Sequence, residues 1–429
     1  MAISPKIENR ADLPHVVIIG GGFAGIATAR GLAKKPVRVT IIDKHNFHTF
    51  LPLLYQVATA GLEPADVAYP IRTIFGDAPN VRFRHARVRL VDQRENCLVL
   101  EDDSVLAYDH LVVATGAIAS YFGIPGASRY ALPLYSLADA RALRNRVLLA
   151  LERAEVASEH ASVALHFVVV GGGPTGVETA GALSELIGIA IKRDGLDLDP
   201  SKVRVKLVDL APRLLTAFPE SASKYAKKEL ERMGVDIAFG RSVVEVEERA
   251  IRFSDGERLE AAAVIWAAGV TASGTLAQDL QASPGPSGRV RVTPDLRVLE
   301  SANVWAVGDA ALVPADHESF CPQLAPVAIQ SGKHCARQLL RVLKGEETEP
   351  FRFKNKGIMA TIGRRAAVAK LPVGGVIKGT LGWFAWLALH LWYLVGFRNR
   401  LRVMINWTWR YFDWPSGPRL IVADAETAD

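Results

Sequence analysis

His15-Val16-Val17-Ile18-Ile19-Gly20-Gly21-Gly22-Phe23-Ala24-Gly25 is the stretch whose reading decides the fold. Its first five residues are a short β-branched apolar run, the pattern of a buried strand. Ala24 to Ala33 continues with helix formers. After Lys34-Lys35-Pro36 a second apolar run, Val37 to Ile42, ends on Asp43. The unit is strand, G-x-G-x-x-G, helix, strand, acid, with Asp43 21 residues beyond Gly22. Gly20 permits the tight turn, Gly22 lets backbone approach a pyrophosphate, and Gly25 lets helix and strand pack closely. The helix N-terminus offers N–H donors to phosphate, and the Asp43 carboxylate can accept from a ribose diol.

The same unit occurs twice. His166 to Val170 is a buried-strand run entering Gly171-Gly172-Gly173-Pro174-Thr175-Gly176, and Val203 to Val208 ends at Asp209. The second acid comes later than the usual ~20 residues because 187–202 lengthens the helix and its return loop. Two such units imply two nucleotides. An Asp rather than an Arg at the second ribose position favours NADH over NADPH, unless Asp209 only caps a turn.

Between and after these units the chain reads more loosely. Residues 44–75 are apolar but broken by Pro52, which fits a core loop or a cofactor lining equally. Residues 81–113 alternate as a meander that places Val88 near an adenine position, then end in Leu111-Val112-Val113-Ala114-Thr115-Gly116. A helical pattern covers 136–159. Strand-like runs follow at 235–239, 243–247, 250–253 and 263–266, before Ala267-Ala268-Gly269. The 282–288 loop is the clearest break. Beyond it, 303–310 predicts a buried strand ending in Gly308-Asp309 before a helix, with Asp309 able to bond cofactor hydroxyls.

Composition narrows the class. The chain has 429 residues, 49% hydrophobic and 22% charged, which allows two or three domains. A net charge of +6 is modest and gives no argument for nucleic acid. Cys97, Cys321 and Cys335 are far apart, without C-x-x-C or C-x4-C spacing, which argues against a disulfide scaffold, a redox dithiol or a metal site. Met1 to Leu13 is polar, and no signal peptide precedes the first strand, so a cytoplasmic start is expected.

The tail differs in kind. Residues 380–397 carry no formal charge apart from a titratable His390, and span 18 residues, near the lower limit for a membrane span. Arg398, Arg400, Arg402 and Arg410 follow, and no acid occurs from 350 to 412. Trp383, Trp386, Trp392, Trp407, Trp409 and Trp414 are six of the chain's eight tryptophans. Trp and Arg together suit a lipid interface, and two amphipathic segments in one leaflet fit better than one span. An apolar hairpin buried in a homodimer interface is the competing reading, and the two can coexist.

Taken together these motifs resemble the type II NADH dehydrogenases. The resemblance is carried by the first glycine unit, HTFLPLLYQVATAG at 48–61, ATG at 114–116, GGGPTGVE at 171–178 and AAG at 267–269. VGDA at 307–310, MATIGRRAAVA at 359–369 and the Trp/Arg tail complete it, from about residue 14 to 422. It implies an α/β fold with two Rossmann-like, glutathione-reductase-like dinucleotide-binding domains and a C-terminal membrane-associating helical region. Residues 1–125 and 286–345 would form a discontinuous FAD-binding domain, 126–285 an NADH-binding domain and 346–429 the membrane-anchoring region. Non-covalent FAD would be held by Gly20, Gly22, Gly25, Asp43, Lys44, Val88, Ala114, Thr115, Gly116, Asp309 and Ala325. NADH would be held by Gly171, Gly173, Gly176, Glu178, Asp209 and Gly269. The acceptor would be a membrane quinone, ubiquinone or menaquinone, reduced without proton pumping on the cytoplasmic face of the inner membrane. Gln330, Ala325 and Lys378 would meet it, although Lys378 also suits a snorkelling anchor. The family's Ala-Gln-x-Ala-x-Gln pattern stands here as Ala325-Pro326-Val327-Ala328-Ile329-Gln330, so one Gln is replaced by Pro326.

Hydride transfer from nicotinamide to flavin needs no side-chain base, so the protein's task is orientation. Glu178 matches the family motif and could position NADH or relay a proton; it could equally be an ordinary acid at a helix N-terminus. Two other functions compete. A sulfide:quinone oxidoreductase shares the folds and tail but needs a reactive cysteine pair, which the spacing here does not offer. A non-catalytic NADH-sensing flavoprotein would bind FAD without quinone-dependent turnover.

Overall fold

The structure, a computed structural model, describes residues 12–158, 165–193, 196–273, 279–280, 284–315, 319–412 and 420–422. Glu159, Ser283 and Trp414 therefore lie outside it, as do most of the N-terminal and C-terminal ends. The chain forms two compact units. The first is Met1–His48, Tyr69–Ile118 and Val270–Asn355; the second is Thr49–Ala68, Ala119–Gly269 and Lys356–Asp429. The 49–68 stretch and the whole tail thus fall in the unit that carries the second glycine turn.

In the first unit five parallel strands run in the order Val304–Ala306, His110–Val113, His15–Ile19, Arg38–Asp43, Val81–His85. A sheet covered on both faces needs unbroken apolar strands, and Val16, Val17 and Ile18 are fully buried. Each contributes roughly 1.5–3 kcal/mol by burial. Val81–His85, read from sequence as part of the meander, is the edge of this sheet. The antiparallel meander is Val88–Asp92, Cys97–Leu100 and Val105–Ala107. The helix Phe23–Leu32 packs on the helix Ala325–Val342 so closely that a Cβ on Gly332 would overlap the Ala24 carbonyl oxygen.

The second unit repeats the plan. Its parallel order is Leu132–Pro133, Ala263–Trp266, Leu165–Val170, Val203–Asp209, Val235–Phe239. A second antiparallel meander follows, Val243–Glu247, Ala250–Phe253 and Arg258–Glu260. The helix Pro174–Arg193 packs against a third small sheet, Ile358–Gly363, Ala366–Lys370 and Val376–Lys378, where a Cβ on Gly181 would overlap the Ile362 carbonyl oxygen.

One reading changes and one holds. No helix directly follows Gly308-Asp309: a 3-10 turn, Gly308–Ala310, leads into the short strand Ala311–Leu312, and the next helix starts only at Ala325. The β-branched Val313 and then Pro314, which lacks an N–H, keep this chain extended. The tail is two helices, Gly379–Tyr393 and Phe397–Phe412, parted where Gly396 adopts φ +87°. Among the described residues no helix is long and apolar enough to cross a membrane.

Candidate functional site

The two glycine turns are built alike. Gly20 and Gly171 take φ of +109° and +111°, a region that side chains with a Cβ rarely adopt. Their N–H groups donate to Ile42 O and Val208 O, both at 2.8 Å. The Gly21 N–H donates to Asp43 Oδ2 at 2.6 Å, and the Gly172 N–H to Asp209 Oδ2 at 2.5 Å. The other oxygen of each acid accepts from the N–H two residues on, His45 at 2.7 Å and Ala211 at 2.8 Å. Each carboxylate therefore braces its own turn and keeps lone pairs for a ribose diol. A Cβ on Gly25 or Gly176 would overlap the carbonyl oxygen of Gly20 or Gly171. By contrast a Cβ on Gly22 or Gly173 would meet no heavy atom within 4 Å, which leaves open space before each helix N-terminus. Both turns fit a dinucleotide pyrophosphate, and any side chain at Gly22 or Gly173 would fill that space.

The remaining first-unit residues sit around this frame. Ala114 N–H donates to Ile19 O at 2.8 Å, Thr115 follows it, and Gly116 has φ +71° with open space about it. Val88 is buried in the meander, Lys44 is exposed, and Asp309 lies in the 3-10 turn with its carbonyl taken by Gln323 Nε2 at 3.0 Å. Ala325 begins its helix. Gln330 is held by two backbone hydrogen bonds: its Nε2 donates to Lys354 O at 2.9 Å and its Oε1 accepts from Lys354 N at 3.0 Å. In the second unit Gly269 faces Phe122, whose Cζ would stand 2.8 Å from an added Cβ. Lys378 is exposed at the N-cap of the Gly379–Tyr393 helix.

The second unit also holds a cavity of about 880 Å³, its open mouth included. Glu178, Ala182, Glu185 and Ile189 form one stripe of the Pro174–Arg193 helix along its wall. Tyr55, Gln56 and Trp386 face it, as do Trp407 and Thr361. Glu178 Oε1 accepts the Thr361 N–H at 3.2 Å, and Glu185 Oε1 the Arg364 N–H at 2.6 Å. Burial pushes the Glu178 carboxyl up to about 8, against the pull of the Thr361 N–H and the Trp386 indole. Glu185 is raised by the same cause. Gln56 links the wall to the tail, accepting Trp407 Nε1–H at 2.9 Å and donating to Tyr55 Oη at 2.9 Å.

A buried acid fastens the tail nearby. Asp66 is fully buried, and its Oδ2 accepts from Asn406 Nδ2 and from Glu63 N, both at 3.0 Å. Its Oδ1 lies 3.6 Å from the Arg402 guanidinium. His390 Nδ1–H donates to Trp386 O at 2.7 Å and the two rings stack at 4.1 Å; burial holds His390 down at about 4. Sequence reasoning singled out Glu178 but not Gln56, Glu185 or Trp386, which gather here from three separated segments. The one available signal was the i, i+7 spacing of the two glutamates.

Two dinucleotide turns, each at the end of a parallel sheet, define the class of a two-nucleotide oxidoreductase. Comparison with known proteins agrees. Residues 14–332 match the pyridine nucleotide-disulphide oxidoreductase family, and 355–413 match the NDH2 C-terminal domain. The chain is 37% identical to the type II NADH:quinone oxidoreductase Ndh of Mycobacterium tuberculosis, over 99% of this chain and 94% of that one. It is 33% identical to the mitochondrial internal alternative NAD(P)H-ubiquinone oxidoreductase A1 of Arabidopsis thaliana, over 94% and 85%. Its fold matches NDH2 from Plasmodium falciparum, solved with NADH, at TM-score 0.86 and 20% identity, covering 95% of this chain and 99% of that one. The sulfide:quinone oxidoreductase of Aquifex aeolicus matches at 0.71 and 17%, covering 96% of each. The chain belongs to the type II NADH:quinone oxidoreductases.

Proposed function

We propose that this chain oxidises NADH at the Gly171–Gly176 turn, holds FAD at the Gly20–Gly25 turn, and delivers the electrons to a quinone whose headgroup enters the Glu178 cavity. The observation that carries the last part is geometric: Glu178 lines an apolar opening that it shares with Tyr55, Trp386 and Trp407. Bound flavin would supply two-electron chemistry, taking hydride and releasing electrons to quinone. The chain's own residues orient, exclude water and manage protons. Asp43 and Asp209 receive the two riboses; Ala114, Thr115, Gly116, Val88, Lys44, Asp309 and Ala325 complete the FAD site. Gly269 completes the NADH site. Arg213, the arginine closest in sequence after Asp209, supports NADH over NADPH: its guanidinium is engaged with Phe218 O at 3.0 Å, Thr216 O at 2.8 Å and Ser223 Oγ at 2.5 Å. Glu178 is a hydrogen-bond donor to one quinone oxygen and the source of one of the two protons the quinol needs. Gln330 acts by fixing the chain at Lys354, and Lys378 by anchoring at the interface.

We assign 1–125 and 286–345 to FAD, 126–285 to NADH and 346–429 to the membrane, with 49–68 packed in the unit of the second turn and 270–285 in that of the first. Leu381, Phe384, Trp392, Phe397 and Ile405 are exposed on the tail helices beside the exposed Arg398, which suits an anionic lipid surface on the cytoplasmic face. A homodimer joined through the same tail would be compatible with this placement.

The test is anaerobic stopped-flow on detergent-purified protein. NADH should bleach the flavin absorbance fast and a short-chain quinone should restore it. Bleaching by sulfide, or bleaching by NADH without recovery on quinone, would overturn the assignment. Cys321 and Cys335 are buried, and burial raises the Cys335 thiol, so sulfide is expected to be inert.

A further inference from the structure

We propose that the indole N–H of Trp386 is a hydrogen-bond donor to the quinone carbonyl in the Glu178 cavity. Trp386 is 1% exposed and lines that cavity, yet its Nε1 makes no hydrogen bond of good geometry in the folded chain, the Glu178 carboxyl being only a weak neighbour. A buried N–H without a good acceptor is costly, so a ligand acceptor is the natural partner. Trp407 in the same wall makes the contrast: its Nε1 is satisfied by Gln56. The Trp386 ring is also held in place. It stacks on His390 at 4.1 Å and 24°, meets Tyr55 edge-on at 6.3 Å, and packs against Trp407 at 6.0 Å. Its N–H is close enough to Glu178 to favour the charged carboxylate. Two donors, one N–H and one carboxyl O–H, therefore face one region of an apolar, ring-lined space. The ligand chemistry that suits them is a flat, apolar ring bearing a carbonyl. As that oxygen gains negative charge during reduction, both hydrogen bonds strengthen, which is how a pre-placed donor pair lowers a barrier.

This inference rests on the reading of the cavity as the quinone site, and the experiment separates the two. Trp386→Phe removes the N–H, and replacement by benzothienylalanine removes it while keeping the bicyclic shape. Both should raise KM for ubiquinone-1 about tenfold, the loss of roughly one hydrogen bond. Both should leave flavin bleaching by NADH at the wild-type rate. Without quinone, the benzothienyl protein should melt close to wild type, because the donor it lost has only its weak contact with Glu178. The rise in melting temperature that ubiquinone-1 gives the wild type, measured without NADH, should shrink in both variants. An unchanged KM and thermal shift in the benzothienyl protein, or a lower melting point without quinone, would overturn the role of Trp386. Ile189→Trp tests the cavity itself: if this filled wall leaves quinone KM and thermal shift unchanged, the cavity reading falls, whatever Trp386 does.

Discussion

The two glycine turns correspond in logic residue by residue, and they differ at two telling positions. Gly20, Gly22, Gly25 and Thr28 correspond to Gly171, Gly173, Gly176 and Thr179; both threonines even donate back to the carbonyl four residues earlier, at 2.9 and 2.6 Å. Between them Ala27 corresponds to Glu178. In the first unit that helix face is closed by the Ala325–Val342 helix, with a Cβ on Gly332 reaching Ala27 Cβ at 3.1 Å. In the second the corresponding face opens on the cavity. The same frame thus serves as pure packing once and as a chemical wall the second time. A second difference concerns the middle glycine. The Gly21 carbonyl accepts from His48 Nδ1–H at 2.9 Å, whereas the Gly172 carbonyl accepts from the Leu215 backbone N–H at 2.8 Å. One turn is pinned by a side chain and the other by backbone.

The largest expected break in this symmetry comes from the paired glycines. Gly25→Ala should yield colourless protein with severely reduced stability, because the new methyl group overlaps the Gly20 carbonyl. Gly176→Ala should keep its flavin colour yet require far more NADH to bleach it. Equal flavin content in the two purified proteins would show that the turns are not specialised as assigned.

Next in size is Glu178→Gln. Loss of a positioned acid should slow quinone reduction about a hundredfold while flavin bleaching by NADH changes little. Wild-type quinone reduction should fall above about pH 8, where the carboxyl ionises, and the variant should show no such inflection. The stability effect has a definite sign. The folded carboxyl binds its proton up to about 8, an unfolded glutamate only to about 4.3. Stability therefore declines as pH rises through that window, and melting curves of Glu178→Gln should lack this decline.

Asp209→Ala should weaken NADH binding about tenfold by removing both the ribose acceptor and the brace on Gly172, read from the NADH dependence of bleaching. Flavin content should be unaffected; a colourless variant would contradict the assignment. His48→Leu is the smallest change. It removes the side chain that holds the Gly21 carbonyl and should lower stability by about 1–3 kcal/mol in urea unfolding. Burial holds His48 down at about 4, so the wild type should gain stability as pH rises from about 4 to 6.5, and the variant should not.

The repeated units were legible because glycine spacing reports backbone geometry directly: φ of +109° and +111° is what Gly20 and Gly171 are there to allow. The tail was legible as two segments for a different reason, since its apolar run is short and a stretch polar on one side follows it. The cavity was not. Its wall joins 55–61, one helix stripe and 361–407, and no local period relates Gln56 to Trp407 or Thr361 to Glu178. The helix expected after Asp309 failed because a Gly-Asp turn constrains its own backbone only and leaves the following direction to Val313 and Pro314.

The closeness of Trp386 and Trp407, 6.0 Å between centroids with their planes 44° apart, has an optical consequence. Two indoles this near and this tilted share their electronic excitation, so each loses its separate absorption. Circular dichroism of the folded protein should carry a paired positive and negative band from these two rings. The Phe397–Phe412 helix contributes one partner and the Gly379–Tyr393 helix the other. The amplitude of that couplet is therefore a built-in, label-free gauge of whether the last helix lies against its neighbour.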